Sequence, residues 1–311
     1  MSESSELHLP GAPAPRHSAV ITLGTFDGVH LGHRAVIDTT IATARRESRT
    51  SIVLTFDPHP LRVVRPEAAP QLLTTTAEKV RLLRETGADR VEVIPFTAYL
   101  ARFSPRRFVE DVLLAHFGLA HLVVGHDHGF GKDRSGDIET LRAIGVELGF
   151  SVTSVPPLHV GGAPVSSTRI RNLLIDGDVA GAAELLGRPY SLEGPVVRGE
   201  QRGRVLGFPT ANVAVDADKL LPREGIYVTR VDIEGQAESR PAVMHLGPRP
   251  TFFGFSPSAE VYLLDFEGDL YDRDLRVHFL HRIRGIARFD SAEALQEAIR
   301  SDVAFARDWF R

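Results

Sequence analysis

The run Ala19-Val20-Ile21-Thr22-Leu23-Gly24-Thr25-Phe26-Asp27-Gly28-Val29-His30-Leu31-Gly32-His33 decides how the first half of the chain is read. Residues 19–23 are apolar except for Thr22, the pattern of a strand buried on both faces. Gly24 and Gly28 break that run, and helical periodicity starts at Leu31 and continues to Arg46. Glycines at a strand-to-helix passage let the backbone approach a ligand, and the free N–H groups at the helix start attract an anion. His30 and His33 are three residues apart and share one face of the first turn. From there two imidazoles at a phosphate site can donate hydrogen bonds to a pentavalent transition state. No Gly-Lys-Ser/Thr follows, so a P-loop is excluded, and no third ligand stands at a familiar zinc spacing. The plainer alternative is a glycine turn with two surface histidines.

Outward from this run, strand and helix signals alternate. Ala19–Leu23, Ser51–Thr55, Arg90–Ile94, His121–Val124 and Ser151–Val155 read as buried strands, and Leu31–Arg46, Ala77–Thr86, Pro105–Phe117 and Gly136–Leu148 as helices between them. Alternation of this kind implies an α/β, Rossmann-like, mainly parallel sheet covered on both faces, with ligands beyond the carboxyl ends of its strands. The Gly24 run, Phe56-Asp57-Pro58-His59-Pro60 and Gly125-His126-Asp127-His128-Gly129-Phe130-Gly131 fall at such ends.

After Gly187-Arg188-Pro189 the interleaved helices stop. Val196–Arg198, Gly225–Ile233, Ala242–Leu246, Ala259–Phe266 and Leu275–Ile283 read as strands joined by turns, followed by one closing helix, Ser291–Phe310. This predicts a small antiparallel β-barrel or sandwich with a C-terminal helix. The expected division is a disordered tail over 1–17, an α/β domain over 18–187 and a β-barrel domain over 188–311.

A chain of 311 residues is long enough for two cores, and its 43% hydrophobic and 24% charged content is ordinary for a globular protein. A formal charge of −4 argues against nucleic-acid binding. With no cysteine, disulfides, thiolate ligands and thiol nucleophiles are excluded. No stretch has the apolar length of a membrane span. The first 17 residues are rich in Ser, Pro, Ala and Gly and lack the basic-then-apolar order of a signal peptide, which reads as a mobile tail on a cytoplasmic protein. A homo-oligomeric assembly stays open.

Two further segments handle phosphate on this reading. Val165-Ser166-Ser167-Thr168-Arg169-Ile170-Arg171 places hydroxyls at a helix start, which serve as caps, and two arginines that can grip a polyphosphate. Gly199-Glu200-Gln201-Arg202-Gly203-Arg204-Val205-Leu206-Gly207-Phe208-Pro209-Thr210-Ala211-Asn212 joins flexible glycines to a Thr hydroxyl and an Asn carbonyl two residues apart, both suitable oxygen ligands for Mg²⁺ carrying ATP phosphates. A hairpin loop leading into a strand is the plainer alternative. Glu260 shares a strand face with Tyr262, Leu264 and Phe266 by alternation. A carboxylate on an apolar face needs a partner or a task, and general base toward a substrate hydroxyl is one such task.

Together with Thr55–Pro60, Leu72-Leu73-Thr74-Thr75, Leu185-Leu186-Gly187-Arg188-Pro189-Tyr190 and Asp269-Leu270-Tyr271, these segments resemble the bacterial bifunctional riboflavin kinase/FMN adenylyltransferase (FAD synthetase) family, across nearly the whole chain beyond the tail. The resemblance implies an N-terminal nucleotidyltransferase domain of the His-x-Gly-His type that adenylylates FMN to FAD with release of pyrophosphate. It implies a C-terminal kinase barrel that phosphorylates riboflavin to FMN, each step using ATP and Mg²⁺. His30, His33 and Arg171 are then catalytic in the first domain and Glu260 in the second. Gly24, Thr25, Phe26, Asp27, Gly28, Ser167, Thr168, Arg171, Gly199, Gly203, Arg204, Gly207, Pro209 and Thr210 bind nucleotide, and Thr210 and Asn212 hold the metal. The flavin falls to Phe56, Asp57, Pro58, Asp127, His128, Phe130, Tyr271 and Arg284, although Phe56, Phe130 and Tyr271 are equally plausible as core residues. The chain departs from the family pattern at His128, where a Phe is common, at His245 for Asn, at Ile286 for Glu and at Asp272 for Gly. Two other readings follow from those departures: a paralogue that uses a modified flavin or another nucleotide, and a flavin- or nucleotide-binding regulator with an impaired kinase.

Overall fold

The computed structural model describes residues 7–126, 129, 131, 136–198, 207–247 and 258–311. The chain divides between Ser166 and Ser167 into two compact units.

The first unit begins with β1 (Ala19–Leu23), α1 (Leu31–Arg46), β2 (Thr50–Asp57), α2 (Pro60–Val64), α3 (Thr76–Arg84) and β3 (Arg90–Pro95). It continues through α4 (Pro105–Phe108), which widens into a π-turn over Val109–Leu114, then β4 (Leu119–Gly125), α5 (Ile138–Leu148) and β5 (Ser151–Val155). A short hairpin of β6 (His159–Val160) and β7 (Ala163–Pro164) follows. The sheet order is β3-β2-β1-β4-β5, and every pairing in it is parallel. The unbroken apolar runs have a direct cause. Ile21, Leu23, Leu54 and Leu122 pack into one core, while Val20, Val53 and Val123 face helices on the other side. Truncating one of these side chains to Ala costs about 2–5 kcal/mol. The strand order reverses between β1 and β4, so the crevice at their carboxyl ends is the topological switch point.

Residues 7–17, which composition alone suggests are mobile, lie against this unit. Leu7 and Leu9 pack on the main core, the Pro10 carbonyl accepts from His116 Nε2 at 2.9 Å, and the Ala14 N–H donates to the His116 carbonyl at 2.8 Å. Two leucines spaced for one side of an extended segment outweigh its Pro and Ala content.

The second unit comprises α6 (Ser167–Asp176), α7 (Val179–Leu186), β8 (Tyr190–Val197), β9 (Ala211–Val213), β10 (Gly225–Ile233), β11 (Arg240–Gly247), β12 (Ser258–Leu263), β13 (Asp274–Arg284) and α8 (Ala292–Trp309). The strands form a closed antiparallel barrel in the order β10-β11-β12-β9-β8-β13. α8 starts at Ser291, whose side chain accepts from the Ala294 N–H, and it packs Val303 and Ala306 against Ile226, Val228 and Val243. Two expectations change here. β12 stops at Leu263 because Asp265 turns into the left-handed region (φ +52°), so only Tyr262 shares the strand face with Glu260. Leu264 lies just past the strand end, donating its N–H to the Pro241 carbonyl, and its side chain packs in the same cluster as Tyr262 and Val243. β9 has too few residues for a periodic signal, yet it completes the barrel between β12 and β8.

Candidate active sites

In the first unit the passage from β1 to α1 is built by backbone. Phe26, Gly28 and Val29 have φ of +48°, +84° and +40°. Left-handed backbone at a β-branched residue is costly, on the order of 1–3 kcal/mol, and persists only where its surroundings enforce it. Those surroundings are visible. The Gly24 N–H donates to the Leu54 carbonyl, and Thr55 Oγ1 donates to the Thr25 carbonyl. The buried Asp27 carboxylate accepts from the Leu73 N–H (3.0 Å), the Thr74 N–H (2.9 Å) and Thr74 Oγ1 (3.1 Å), and the Gly28 N–H donates to that same hydroxyl. Leu72–Thr75 therefore braces the turn. Asp27 is its anchor, and Phe26 is a buried core side chain packed edge-on to His33.

The two histidines stack with ring centroids 3.5 Å apart and planes at 15°. His30 is buried and its Nδ1 accepts the His33 N–H at 3.2 Å, capping α1. An accepting Nδ1 leaves a neutral ring with its proton on Nε2, the tautomer that donates to a phosphate oxygen. Gly32 makes the packing possible: a Cβ there would stand 3.2 Å from the His30 ring and 3.5 Å from the Val165 carbonyl.

At the carboxyl end of β2, Phe56 turns its ring into the core against Phe96 and Phe108, so only its backbone reaches the strand end. Asp57 is exposed, accepts from Thr76 Oγ1 at 2.6 Å and precedes Pro58 through a cis peptide. Lys79 was not foreseen from sequence. It is buried, and its Nζ donates to the Phe56 carbonyl at 2.9 Å. Burial pushes its ammonium below the usual lysine range, opposed by the charges of Asp27 and Asp57. A lysine within α3 carries no signal of burial in its residue type. Asp127, His128 and Phe130, which follow β4 in the chain, lie outside the described residues.

In the second unit the candidate site is a matter of strand register. Glu260 on β12 stands opposite Asn212 of β9 on one side and His245 of β11 on the other. Its Oε2 accepts from Thr210 Oγ1 at 3.2 Å and its Oε1 from Ser258 Oγ at 2.7 Å. Thr210 and Asn212 flank buried Ala211, so both point to the Glu260 side. The Thr210 hydroxyl and the Asn212 carbonyl are hard oxygen donors of the kind Mg²⁺ prefers, and they fit that ion. His245 is half-buried; burial pushes its imidazolium below the usual histidine range, with Glu260 and Glu224 opposing and Arg284 assisting. Gly207 has φ +84° with open space around it, and Pro209 is exposed. Gly199, Gly203 and Arg204 lie outside the described residues. Tyr271 is exposed beneath the Arg198 guanidinium, 5.3 Å from its ring centroid, and is thus not core. Arg284 makes a bidentate pair with buried Asp302 of α8 (2.9 and 2.7 Å), which occupies its guanidinium in holding the helix.

Ser167 and Thr168 occupy the first turn of α6, and Arg171 follows at the i+4 and i+3 spacings that put all three on one helix face.

Comparison with known proteins finds two family models along the chain. The FAD synthetase family model matches residues 12–169 and the riboflavin kinase family model residues 186–310. The chain is 39% identical over 298 residues to the bifunctional riboflavin kinase/FMN adenylyltransferase of Escherichia coli K12, covering 96% of this chain and 94% of that one. It is 42% identical to the protein of the same name from Pseudomonas fluorescens, covering 94% of each. A solved Streptococcus pneumoniae chain, titled a macrolide-efflux protein, superposes with a TM-score of 0.85 at 31% identity over 96% of both chains. Among the described residues no helix is long and apolar enough to cross a membrane. The chain belongs to the bifunctional riboflavin kinase/FMN adenylyltransferase family.

Proposed function

We propose that this chain makes FAD from riboflavin in two ATP-dependent steps, phosphorylating riboflavin to FMN at the barrel site and adenylylating FMN at the His30–His33 site. The observation that carries the reading is the Glu260 constellation, in which a carboxylate is held by Thr210 and Ser258 directly across from Asn212. It sits in a unit that matches riboflavin kinases.

In the kinase step Glu260 accepts the proton of the ribityl 5′-hydroxyl as that oxygen bonds to the γ-phosphorus of ATP and ADP leaves. Thr210 Oγ1 and Asn212 Oδ1 would hold Mg²⁺, which when bound supplies charge neutralisation for the phosphates. The Thr210 hydroxyl donates its hydrogen bond to Glu260, which leaves the hydroxyl lone pairs for the metal. In the adenylyl step an FMN phosphate oxygen attacks the α-phosphorus of ATP, and pyrophosphate leaves. The neutral His30 ring donates from Nε2 to an oxygen of the pentavalent phosphoryl group, and the α1 N-terminus adds its dipole. We assign Ser167, Thr168 and Arg171 to the triphosphate on their sequence pattern, with a functional boundary near 187/188 and the flavin roles as expected above.

The test is a product assay on the purified full chain with Mg²⁺, riboflavin or FMN, and each nucleoside triphosphate in turn. FMN and then FAD from riboflavin and ATP is the expected result. FMN without FAD, FAD only from supplied FMN, or a dinucleotide without adenine would each overturn a different half of the proposal.

A further inference from the structure

His245 and Ile286 both reach the space over Gly247. A Cβ on Gly247 would stand 2.9 Å from His245 Cε1 and 3.4 Å from Ile286 Cδ1, so the imidazole lies along the strand over Gly247 with the isoleucine beside it. The ring is on the same barrel face as Glu260, directly across the β11–β12 pair. Directly opposed residues in an antiparallel pair are near neighbours, with Cβ atoms about 4.5–5.5 Å apart. Glu260 takes its hydrogen bonds from Thr210 and Ser258, so His245 bears on it through charge alone. The other charged groups facing the ring are Glu224, ahead of β10, and Arg284, at the end of β13 and paired with Asp302.

We propose that His245 is a positioning residue for Glu260 that sets the acid limit of the kinase step. Neutral, it leaves the carboxylate free to take the ribityl proton. Protonated, it becomes an ion-pair partner directly across the strand and draws the carboxylate from that hydroxyl. Burial of the ring disfavours its charged form, and Ile286, partly exposed nearby, offers no charge to oppose this, which keeps the kinase step open at neutral pH. The inference rests on the reading of Glu260 as the base.

The sign is as follows. Because burial lowers the affinity of the ring for a proton, His245 is neutral at neutral pH and charges only below the usual histidine range. The loss therefore lies on the acid side. FMN formation from riboflavin and FAD formation from FMN are measured separately on the full chain from about pH 5 to 8. In wild type the first step falls on acidification where the second does not. H245N replaces the ring by an amide that does not titrate, and toward the acid end of this range it retains a larger fraction of its own neutral-pH kinase rate than wild type does. I286E sets a carboxylate beside the ring and moves the wild-type fall toward neutral pH. Coinciding normalised profiles for wild type and H245N overturn the proposal. If H245N is inactive at every pH, the I286E profile decides, and no displacement there overturns it. E260Q tests the underlying reading by itself: if it still forms FMN at the wild-type rate, Glu260 is not the base, whatever the His245 profiles show.

Discussion

The two candidate sites reach similar chemistry by opposite means. The His30–His33 site is made of backbone: left-handed residues 26, 28 and 29, a helix N-terminus, and a buried Asp27 that ties the turn to Leu73 and Thr74. The Glu260 site is made of side chains from three neighbouring barrel strands, with no strained backbone at Glu260, Asn212 or His245. A backbone cradle tolerates little change at its anchors, because each one fixes several peptide groups. A register site tolerates change between its chemical residues, and that is where His245 stands.

The comparison is broken most severely if the two sites are not independent. E260Q is expected to lower FMN formation about a hundred- to ten-thousandfold while FAD formation from supplied FMN continues. His30→Ala is expected to do the reverse, by about a hundred- to a thousandfold. Loss of both steps in either variant, with the protein still folded by circular dichroism, would overturn the division of labour. Next in size is Asp27→Ala, which leaves buried N–H groups of Leu73 and Thr74 without their acceptor. It should cost about 3 kcal/mol in thermal or urea unfolding and impair FAD formation more than FMN formation. An unfolding midpoint equal to wild type would show that the cradle is not anchored there.

A subtler effect belongs to the barrel. Gly247→Ala pushes a methyl against the His245 ring and should cost about 1–2 kcal/mol, largely recovered in a His245→Ala/Gly247→Ala double variant. Additive losses in that cycle would separate the two residues. The smallest expected change is Ser291→Ala, which removes the α8 cap for about 1 kcal/mol and leaves both product ratios unaltered.

The legibility of the two units differs for a physical reason. A strand buried on both faces gives a continuous apolar run, so β1 is read from sequence to the residue, and the helical period does the same for α1. Barrel strands alternate and end in turns that period-two counting cannot see, hence the overlong β12 and the missed β9. The site residues divide similarly. His30, His33, Thr210, Asn212 and Glu260 stand out by type and spacing. Lys79, Thr74 and Ser258 do not, since each acts on a residue distant in sequence or through a hydroxyl of ordinary appearance.

By itself the chain's sequence determined that there are two units of different architecture and marked candidate phosphate-handling residues in each, because periodicity and residue type are local properties. It also marked His245 and Ile286 as departures. Only the tertiary structure decided that Asp27 is an anchor, that Phe56 points into the core, that Arg284 is engaged by Asp302, and that His245 and Ile286 adjoin across from Glu260. Those facts depend on strand register and on contacts between residues tens of positions apart, which come into existence only when the barrel and the sheet close.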